Sequence, residues 1–472
     1  MYNEVYINNK VRKEYKQLLA NIGNLSPDVI KRKKGEAEDI IRNIGITFSV
    51  YSNTDMTEHL IPFDMFPRII SASEWKKIHD GVTQRALAIN AFLRDIYHTG
   101  EILRAGVVPS ELIYRNPAFD VKMIGFDVPH HVYAPIIGSD IVRTSKNDFY
   151  VLEDNCRIPS GVSYMIENRE IMMRMFPDIF QQMKVESVDN YPQHLLNTLM
   201  SLKPKNCYGE PNVVLLPPGP LNSAYYEHTY LADTMGIELV QGNDLYVEDG
   251  ITYMMTTVGP KKIDVIYRRI DDKFLDPLSY DNSSLIGIPG LFDSYKSQNL
   301  TIASAPGSGI ADDKAIYSFM PDIIKFYLGE KPILNNIMTY SCYNTEDRKY
   351  VLDNIHKLVI KEVHGAGGYG MLIGDRASKT NIDLFKKKIN KNPSGYIAQP
   401  ILDLSTVPIF DNANLSERHV DFRPFCLVGS NFRKLVSGGL TRVALKEGAL
   451  VVNSSQGGGV KDTWVLADKD AK

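Results

Sequence analysis

The sequence lacks the features that mark membrane, secreted and nucleic-acid-binding proteins. No apolar run approaches the ~20 residues needed to cross a bilayer, and no apolar segment follows the N-terminus as in a secretory signal. With 53 basic and 56 acidic side chains the formal charge is −3, so neither nucleic acid nor an anionic membrane is an expected partner. The four cysteines include no CxxC pair, which argues against a zinc site or a disulfide framework. Together these absences predict a soluble, cytoplasmic protein.

Two familiar kinds of nucleotide site are missing as well. There is no Walker A sequence, and the kinase catalytic-loop and D-F-G motifs do not occur. The loop GAGGYG contains Gly365, Gly367, Gly368 and Gly370 and matches G-x-G-x-x-G, but MLIG follows it where the dinucleotide motif requires a helix. Two interpretations remain: an ordinary tight hairpin or, as we prefer, a hairpin whose backbone N–H groups close over phosphates. Lys361, on the apolar strand that enters the loop, favours phosphate contact.

Three structural units are predicted along the 472 residues, a length that fits roughly two to four. Residues 1–205 are expected to be mainly helical, with helical apolar spacing in WKKIHDGVTQRALAINAFLRDIY and strands within 125–155, among them MIGFDV. Residues 206–300 begin with PNVVLLPPGP, the strand and turn of a β-turn-α-β unit. Residues 301–472 contain a predicted helix near 313–328 and strands such as LVIKEV, MLIGD, YIAQP, VDFRPFCLV and ALVVNSS. The predicted fold class is α+β with mixed sheets.

A pair of oxygen-bearing side chains ends one of these strands. In FYVLEDNCRIPSG, Glu153 and Asn155 are two residues apart, so on a strand they point to the same face. A carboxylate beside an amide oxygen suits a hard cation that keeps several waters and bridges phosphates. Asp140 lies on the preceding strand of a predicted hairpin and is expected to oppose Glu153 within ligand distance, as a third candidate for the metal site. The alternative is that Asp154, Asn155 and Pro159 form an ordinary turn.

Seven segments of the sequence resemble a known family. They are EDNCRIPSGVSYMIENR, IDVIYRRIDDKFLDPL, GSGIADDKAIY, HGAGGYGMLIG, RHVDFRPF, GGLTRVAL and VVNSSQGGGVKDTW. In this order, from about residue 50 to 467, they look like the circularly permuted ATP-grasp type 2 proteins, which are related to glutathionylspermidine synthase and other carboxylate–amine ligases. The resemblance implies a circularly permuted ATP-grasp fold with a smaller, pre-ATP-grasp-like α/β domain. It also implies ATP and Mg²⁺ as the bound groups.

The resemblance implies where the nucleotide is bound. Lys314 in ADDK and Lys361 would hold ATP phosphates, and residues 365–370 would form the lid. Gln399 in YIAQP would lie at the hinge between the two ATP-grasp subdomains, where many related enzymes have Glu. The Glu-x-Asn pair comes before the two lysines, which is the reverse of the ordinary ATP-grasp order and is what a circular permutation requires.

Three arginines are the catalytic candidates. By resemblance, Arg423 in DFRPF and Arg442 in LTRVA would lie near the γ-phosphate, with Asn453 on the metal or phosphate side. Arg268 in YRRIDD, with Arg269, is a candidate for binding an acidic substrate, and an ion pair within that segment is the alternative. Four polar residues after the Pro/Gly turn of the second unit are further substrate-binding candidates: Asn222, Tyr225, Glu227 and His228.

The implied activity is ATP- and Mg²⁺-dependent joining of a carboxylate to an amine through an acyl phosphate. The substrates would be small molecules or peptides, giving a peptide or amide bond. Two other classes stay open, a non-catalytic ATP-binding scaffold or sensor and an ATP-dependent phosphotransferase. The family also implies a possible helical companion protein.

Overall fold

The computed structural model describes residues 2–51, 56–365, 370–411, 414–449, 452 and 458–468. Local signals account for many of its element boundaries. The longest helix, Ala72–Tyr97, begins with a capping box, in which the side chains of Ser71 and Glu74 each accept from the other's backbone N–H group. Another long helix begins after the N-cap Ser26 with Pro27 in its first turn and ends at Gly45, whose φ of 76° suits a residue without a side chain.

The N-terminal third is mainly helical, as predicted. Its helices are α1 (Lys16–Gly23), α2 (Pro27–Ile44), α3 (Ala72–Tyr97), α4 (Glu101–Arg104), α5 (Ser110–Tyr114), α6 (Val162–Met175), α7 (Pro177–Met183) and α8 (Tyr191–Ser201). Its strands are β1 (Tyr6–Ile7), β2 (Lys10–Val11), β3 (Thr47–Tyr51), β4 (Met56–Leu60), β5 (Phe63–Ile70), β6 (Ile136–Arg143) and β7 (Phe149–Asn155). The strand predicted for MIGFDV is wrong, because a 3₁₀ turn at Val121–Met123 leads into irregular backbone there.

The middle third contains β8 (Val213–Leu216), α9 (Tyr225–Met235), β9 (Glu238–Leu239), β10 (Leu245–Glu248), β11 (Ile251–Thr256), β12 (Gly259–Lys262), β13 (Val265–Arg268), α10 (Leu291–Lys296) and β14 (Thr301–Ala303). Four of these strands form a parallel sheet in the order β14-β13-β8-β9. The predicted β-turn-α-β start is confirmed by β8, α9 and β9. Strand β14 lies just beyond residue 300, so this sheet extends past the predicted end of the second unit.

The last third carries α11 (Lys314–Tyr317), α12 (Met320–Leu328), α13 (Thr345–Asn354) and α14 (Lys379–Lys391). Its strands are β15 (Asn335–Asn336), β16 (Tyr340–Ser341), β17 (Leu358–Glu362), β18 (Leu372–Ile373), β19 (Tyr396–Pro400), β20 (Thr406–Asp411), β21 (Asn414–Arg423), β22 (Phe425–Val428), β23 (Arg433–Leu435), β24 (Leu440–Val443) and β25 (Gly459–Val465). The helix predicted near 313–328 is two helices, the second starting with Pro321 in its first turn, a position that tolerates the missing N–H. Most of ALVVNSS lies outside the described residues.

One large mixed sheet runs through the molecule in the order β15-β7-β6-β21-β24-β25-β5, with β20, β22 and β23 attached. Both of its faces are covered, because the neighbouring residues Ile136 and Ile137 of β6 belong to two different hydrophobic cores. Helix α3 packs against the face that carries Ile137, and helix α6 packs against the face that carries Ile136. These mixed sheets with helices confirm the α+β fold class.

A separate antiparallel sheet, β16-β19-β17-β18, has its own small hydrophobic core with α13 and α14. We call this part the lid subdomain. Its core includes Ile360, Phe385 and Ile389 and does not merge with the two large cores. No helix among the described residues is both long and apolar enough to span a membrane.

Candidate functional site

Glu153 and Asn155 end strand β7 in the hairpin that it forms with β6. The register pairs Asp140 with Glu153, which confirms the predicted hairpin. Asp154 points to the other face, where it is buried and bound by Arg85 and by the Ser139 hydroxyl at 2.6 Å. Glu153 and Asn155 are half-buried on the shared face. The Asn155 amide donates to a backbone carbonyl at 3.2 Å, which leaves its side-chain oxygen available as an acceptor.

Asp140 lies between two arginine side chains. Its carboxylate accepts from Arg423 at 2.5 and 2.8 Å and from Arg442 at 2.7 Å. Burial alone would raise the pKa of the Asp140 carboxyl, but the two guanidinium groups hold it well below its usual range. Arg442 also binds Asp421, which is its register partner across β21 and β24. Both oxygens of Asp140 are therefore committed to orienting arginines, and its predicted role as a metal ligand does not fit these contacts.

Two lysines approach Glu153 from the other side. Lys314, the first residue of α11, donates from Nζ to the Gly365 carbonyl at 2.5 Å and lies 3.7 Å from a Glu153 oxygen. Lys361 projects from β17 close enough to Lys314 and Glu153 for both charges to act on it, and burial lowers the pKa of its ammonium. Among the described residues Lys361 Nζ makes no hydrogen bond or ion pair, although Glu153 and Asp140 lie near enough for their charges to attract it. A desolvated cation of this kind is an expected partner for an anion.

The glycine loop joins β17 to β18, which pair antiparallel as predicted. Gly370 has φ of 71°, a left-handed backbone conformation that favours glycine, and the Glu362 carboxyl group lies against it. Gly365 contributes its carbonyl to Lys314. Gly367 and Gly368, like Asn453, lie outside the described residues. Gln399 is buried on β19 and donates to the Thr339 hydroxyl at 3.0 Å. Strand β19 pairs with β17, the strand that carries Lys361.

Arg268 is a structural residue in this fold. It is fully buried, donates to the Ser304 and Ile270 carbonyls at 2.6 and 2.8 Å and pairs with Asp272 at 2.5 Å. The guanidinium N–H groups of Arg268 thus bind partners inside the protein and do not face a substrate. The structure favours the alternative prediction, an ion pair within the YRRIDD segment.

Arg269 and its partners form a second buried cluster. Its guanidinium binds Glu227 at 2.9 Å, the His228 ring at 3.2 Å and the Pro159 carbonyl at 2.8 Å. Burial, and then the nearby Arg269 charge, lower the pKa of His228 to about 2, so the imidazole is neutral at physiological pH. Asn222 contacts the other ring nitrogen. The proposed substrate candidates Glu227 and His228 are thus held within a network that fastens the second unit to the site.

Three further residues of the site were not predicted: Arg157, Asp312 and Asp421. Asp312 accepts from the Cys156 backbone at 2.5 Å, and burial raises the pKa of its carboxyl to about 6. Arg157 pairs with Asp271 at 2.6 Å and lies 3.6 Å from Asp312. Each lies within a segment that carries the family resemblance, which was the available signal, but the sequence does not show which of them face each other.

Four neighbouring strands of the large sheet supply the charged side chains. Strand β7 carries Glu153, and its neighbour β6 carries Asp140. The next strand, β21, carries both Asp421 and Arg423, and β24 carries Arg442. The lid subdomain brings Lys361 to the same place. Residues that are far apart in the chain thus converge on one location. Lys314 connects this location to the start of the glycine loop, because its Nζ donates to the Gly365 carbonyl.

Comparison with known proteins identifies this arrangement. The family model described as circularly permuted ATP-grasp type 2 matches residues 67–444. The chain belongs to this family. In the chain Glu153 and Asn155 of β7 precede Lys314 and Lys361, and the fold nevertheless places them together.

Several relatives of this ATP-grasp protein cover nearly all of it. An uncharacterised protein of Synechocystis is 47% identical over 94% of this chain and 92% of its own length. An uncharacterised protein of Mycobacterium tuberculosis is 45% identical, covering 97% and 82%. A putative glutamate–cysteine ligase of Frankia alni is 35% identical over 96% of this chain, but the match spans only 52% of that longer protein. Among solved structures, a glutathione synthetase-like effector of Globodera pallida has a TM-score of 0.59 at 12% identity, covering 94% of this chain and 99% of the effector, which shows a shared fold.

Proposed function

We propose that this protein is an ATP- and Mg²⁺-dependent ligase that joins a carboxylate to an amine through an acyl phosphate. The observation that carries the proposal is the meeting of Lys314 and Lys361 at Glu153, beside a glycine hairpin. Lys361 is desolvated, and the nearby Glu153 and Asp140 only partly offset the effect of burial on the pKa of its ammonium. A phosphate chain would satisfy the charge of this ammonium.

The donor set suits Mg²⁺ bound together with ATP. Among the residues described, no three His, Cys, Asp or Glu side chains gather as a complete metal site. Glu153 and Asn155 would hold the ion through one carboxylate and one amide oxygen, and the rest of its shell would be water and phosphate oxygens, as Mg²⁺ prefers. When bound, the ion would offset phosphate charge and orient the β- and γ-phosphates.

The reaction proposed has two steps. A carboxylate oxygen of the first substrate attacks the γ-phosphorus of ATP, the bond to the β–γ bridging oxygen breaks, and ADP leaves. The neutral amine of the second substrate then attacks the acyl carbon, the carbon–oxygen bond to phosphate breaks, and the nitrogen loses one proton as phosphate leaves. No side chain has to act as a nucleophile, because positioning and charge neutralisation supply the catalysis.

The chain's own cations match these steps. Lys314 and Lys361 would bind phosphate oxygens, while Arg423 and Arg442, fixed by Asp140, would face the charge that develops on the transferred group. Fixed donors need no rearrangement at the moment of reaction, and losing one commonly costs about 2.7–4 kcal/mol of transition-state stabilisation. The glycine hairpin would exclude water and protect the acyl phosphate from hydrolysis.

The relatives support amide-bond formation. The Frankia protein is named a putative glutamate–cysteine ligase, and the fold is shared with a glutathione synthetase-like effector. This chain spans about half of the Frankia protein, and we propose a companion protein as the counterpart of the other half. A reducing cytoplasm is the proposed location, because all four cysteines are buried and unpaired.

The test begins with calorimetry of ATP binding, with and without Mg²⁺. The native chain is compared with Glu153→Gln (E153Q), Lys361→Ala (K361A) and the matched surface control Glu36→Gln (E36Q), whose side chain is 50% exposed. We expect Mg²⁺-dependent binding that E153Q and K361A weaken and E36Q preserves. A native chain that ignores MgATP would remove the basis of the ligase proposal.

ADP release with paired carboxylates and amines then separates the classes of function. Release that requires both substrates supports the ligase. Release that requires one acceptor, with the phosphoryl group retained on it, indicates a phosphotransferase. Binding without turnover over the whole panel indicates a sensor or scaffold.

A further inference from the structure

The loop 156–161, which follows the metal pair, is fastened on several sides. The Cys156 N–H donates to Asp312 at 2.5 Å, and the Pro159 carbonyl accepts from Arg269 at 2.8 Å. The Ser160 carbonyl accepts from Arg423 at 3.1 Å, and the Gly161 N–H donates to Glu227 at 2.6 Å. The backbone of this loop is therefore a rigid base for any side chain that it presents.

The one charged side chain of the loop is open to solvent. Arg157 is 41% exposed, and its partner Asp271 is 44% exposed. The other arginines of the region are enclosed: Arg268 and Arg269 are 0% and 1% exposed, and Arg442 is 11% exposed. Exposed ion pairs are weak and exchange readily, whereas enclosed ones do not. Arg157 is thus a cation on a rigid base with replaceable partners.

Arg157 also lies where open α/β sheets bind ligands. Asp271 follows the carboxyl end of β13, in the parallel sheet, and ligands of such sheets bind at the carboxyl ends of the strands. The segment after β14 runs against the arginine, because a Cβ at Gly309 would lie 3.3 Å from its Cδ. In the same segment the Ser304 and Ser308 hydroxyls are buried without a partner among the described atoms. The metal pair is two residues away, at Asn155.

We infer that Arg157, Asp271 and Asp312 form the recognition site for an acidic α-amino acid. The inference rests on the proposed ligase function. Arg157 binds the α-carboxylate in the paired geometry that guanidinium and carboxylate share. Asp271 and Asp312, released from the arginine, accept the α-ammonium group. The side-chain carboxylate of the substrate then reaches toward Glu153 and the phosphates, where it is phosphorylated.

The charge pattern selects this class of substrate. A simple dicarboxylate would leave two aspartates without their cation, and a simple amine would leave the arginine without its anion. A zwitterion replaces the internal ion pair by Arg157 with the α-carboxylate and by the α-ammonium group shared between the two aspartates, so every charged group keeps an opposite neighbour. Arg157 is accordingly a specificity-determining residue, and Arg423 and Arg442 remain with the phosphates.

The test measures amino-acid binding to the full chain loaded with Mg²⁺ and a non-hydrolysable ATP analogue. L-glutamate and L-aspartate are titrated by calorimetry beside 4-aminobutyrate, which lacks the α-carboxylate, and glutarate, which lacks the amino group. At least one of the two amino acids is expected to bind about tenfold or more tightly than either analogue, a difference of about 1.4 kcal/mol. Arg157→Gln (R157Q) should weaken that amino acid about tenfold and leave 4-aminobutyrate unchanged, with Arg157→Lys intermediate.

Two further variants complete the design. Asp271→Asn (D271N) should weaken the amino acid but not glutarate. Arg32→Gln (R32Q), which removes an exposed pair with Glu36, should change nothing. Equal affinity of native protein and R157Q for the amino acid overturns the inference, as does failure of both amino acids on a chain that binds the nucleotide. Failure to bind the nucleotide would refute the ligase proposal instead. The titration of ATP with and without Mg²⁺ detects that failure before any amino acid is added.

Discussion

Replacing Asp140 with Asn (D140N) would remove the negative charge between two arginine side chains. The carboxylate is 3% exposed and accepts three hydrogen bonds, at 2.5, 2.8 and 2.7 Å. Such charge-assisted bonds contribute roughly 1.5–3 kcal/mol each, and removing one partner of a buried ion pair commonly costs about 3–5 kcal/mol. Arg442 keeps Asp421, and Arg423 keeps the Ser160 carbonyl. We therefore expect the lower end, a loss of about 3 kcal/mol of unfolding free energy.

Urea unfolding without nucleotide measures this loss. The matched control is Asp39→Asn (D39N), which removes an exposed helix pair with Arg42 and should change the unfolding free energy by less than about 0.5 kcal/mol. The same variants are titrated with MgATP. If D140N unfolds like the native chain but loses the Mg²⁺ dependence of ATP binding, Asp140 is a metal ligand after all, and the arginine-orienting role is wrong.

Two other changes probe the site and its support. Lys361→Met (K361M) should raise the unfolding free energy without nucleotide by about 1 kcal/mol, because a cation that burial disfavours more than its neighbours favour is removed. The same variant should weaken MgATP binding in calorimetry. A lower unfolding free energy together with weaker binding would indicate a structural lysine instead. His228, whose pKa is lowered to about 2 by burial and by Arg269, is protonated near pH 6.5 only after unfolding. Its contribution to stability is therefore present above that pH and is lost as the pH falls toward 2. Between pH 7 and 5 the native chain should lose about 2 kcal/mol through this residue, and His228→Gln (H228Q) should lack that part of the loss in urea unfolding at the two pH values, whereas equal slopes would contradict a neutral buried imidazole.

Much of the local structure could be predicted from the sequence. The periodic segment at residues 75–97 lies within helix α3, and the β6–β7 hairpin has the register that places Asp140 opposite Glu153. The glycine hairpin between β17 and β18 and the start of the parallel sheet are also confirmed. These features depend on residues close together in the chain, where periodicity and turn chemistry act directly.

The partners of each charged side chain could not be predicted in the same way. Arg442 meets Asp140 across 302 positions of the chain, and Arg157 meets Asp271 across 114. No periodicity records such contacts, because they depend on strand order in the sheets. For this reason the sequence favours a metal as the partner of Asp140 and a substrate as the partner of Arg268. The residue types were suitable for those roles, but the geometry gives both residues to other partners in the protein.

The same geometry supports the proposed coupling between Mg²⁺ and ATP. Lys314 lies 3.7 Å from Glu153, so a cation and an anion of the site partly neutralise each other. If ATP alone drew Lys314 to its phosphates, Glu153 would be left facing negative charge, and like charges at short range oppose binding. If Mg²⁺ alone bound Glu153, Lys314 and Lys361 would be left as neighbouring cations. When both bind, Glu153 faces Mg²⁺, and Lys314 and Lys361 face the phosphates, so each charged side chain has an opposite charge beside it. The proposed dependence of ATP binding on Mg²⁺ follows from this pairing.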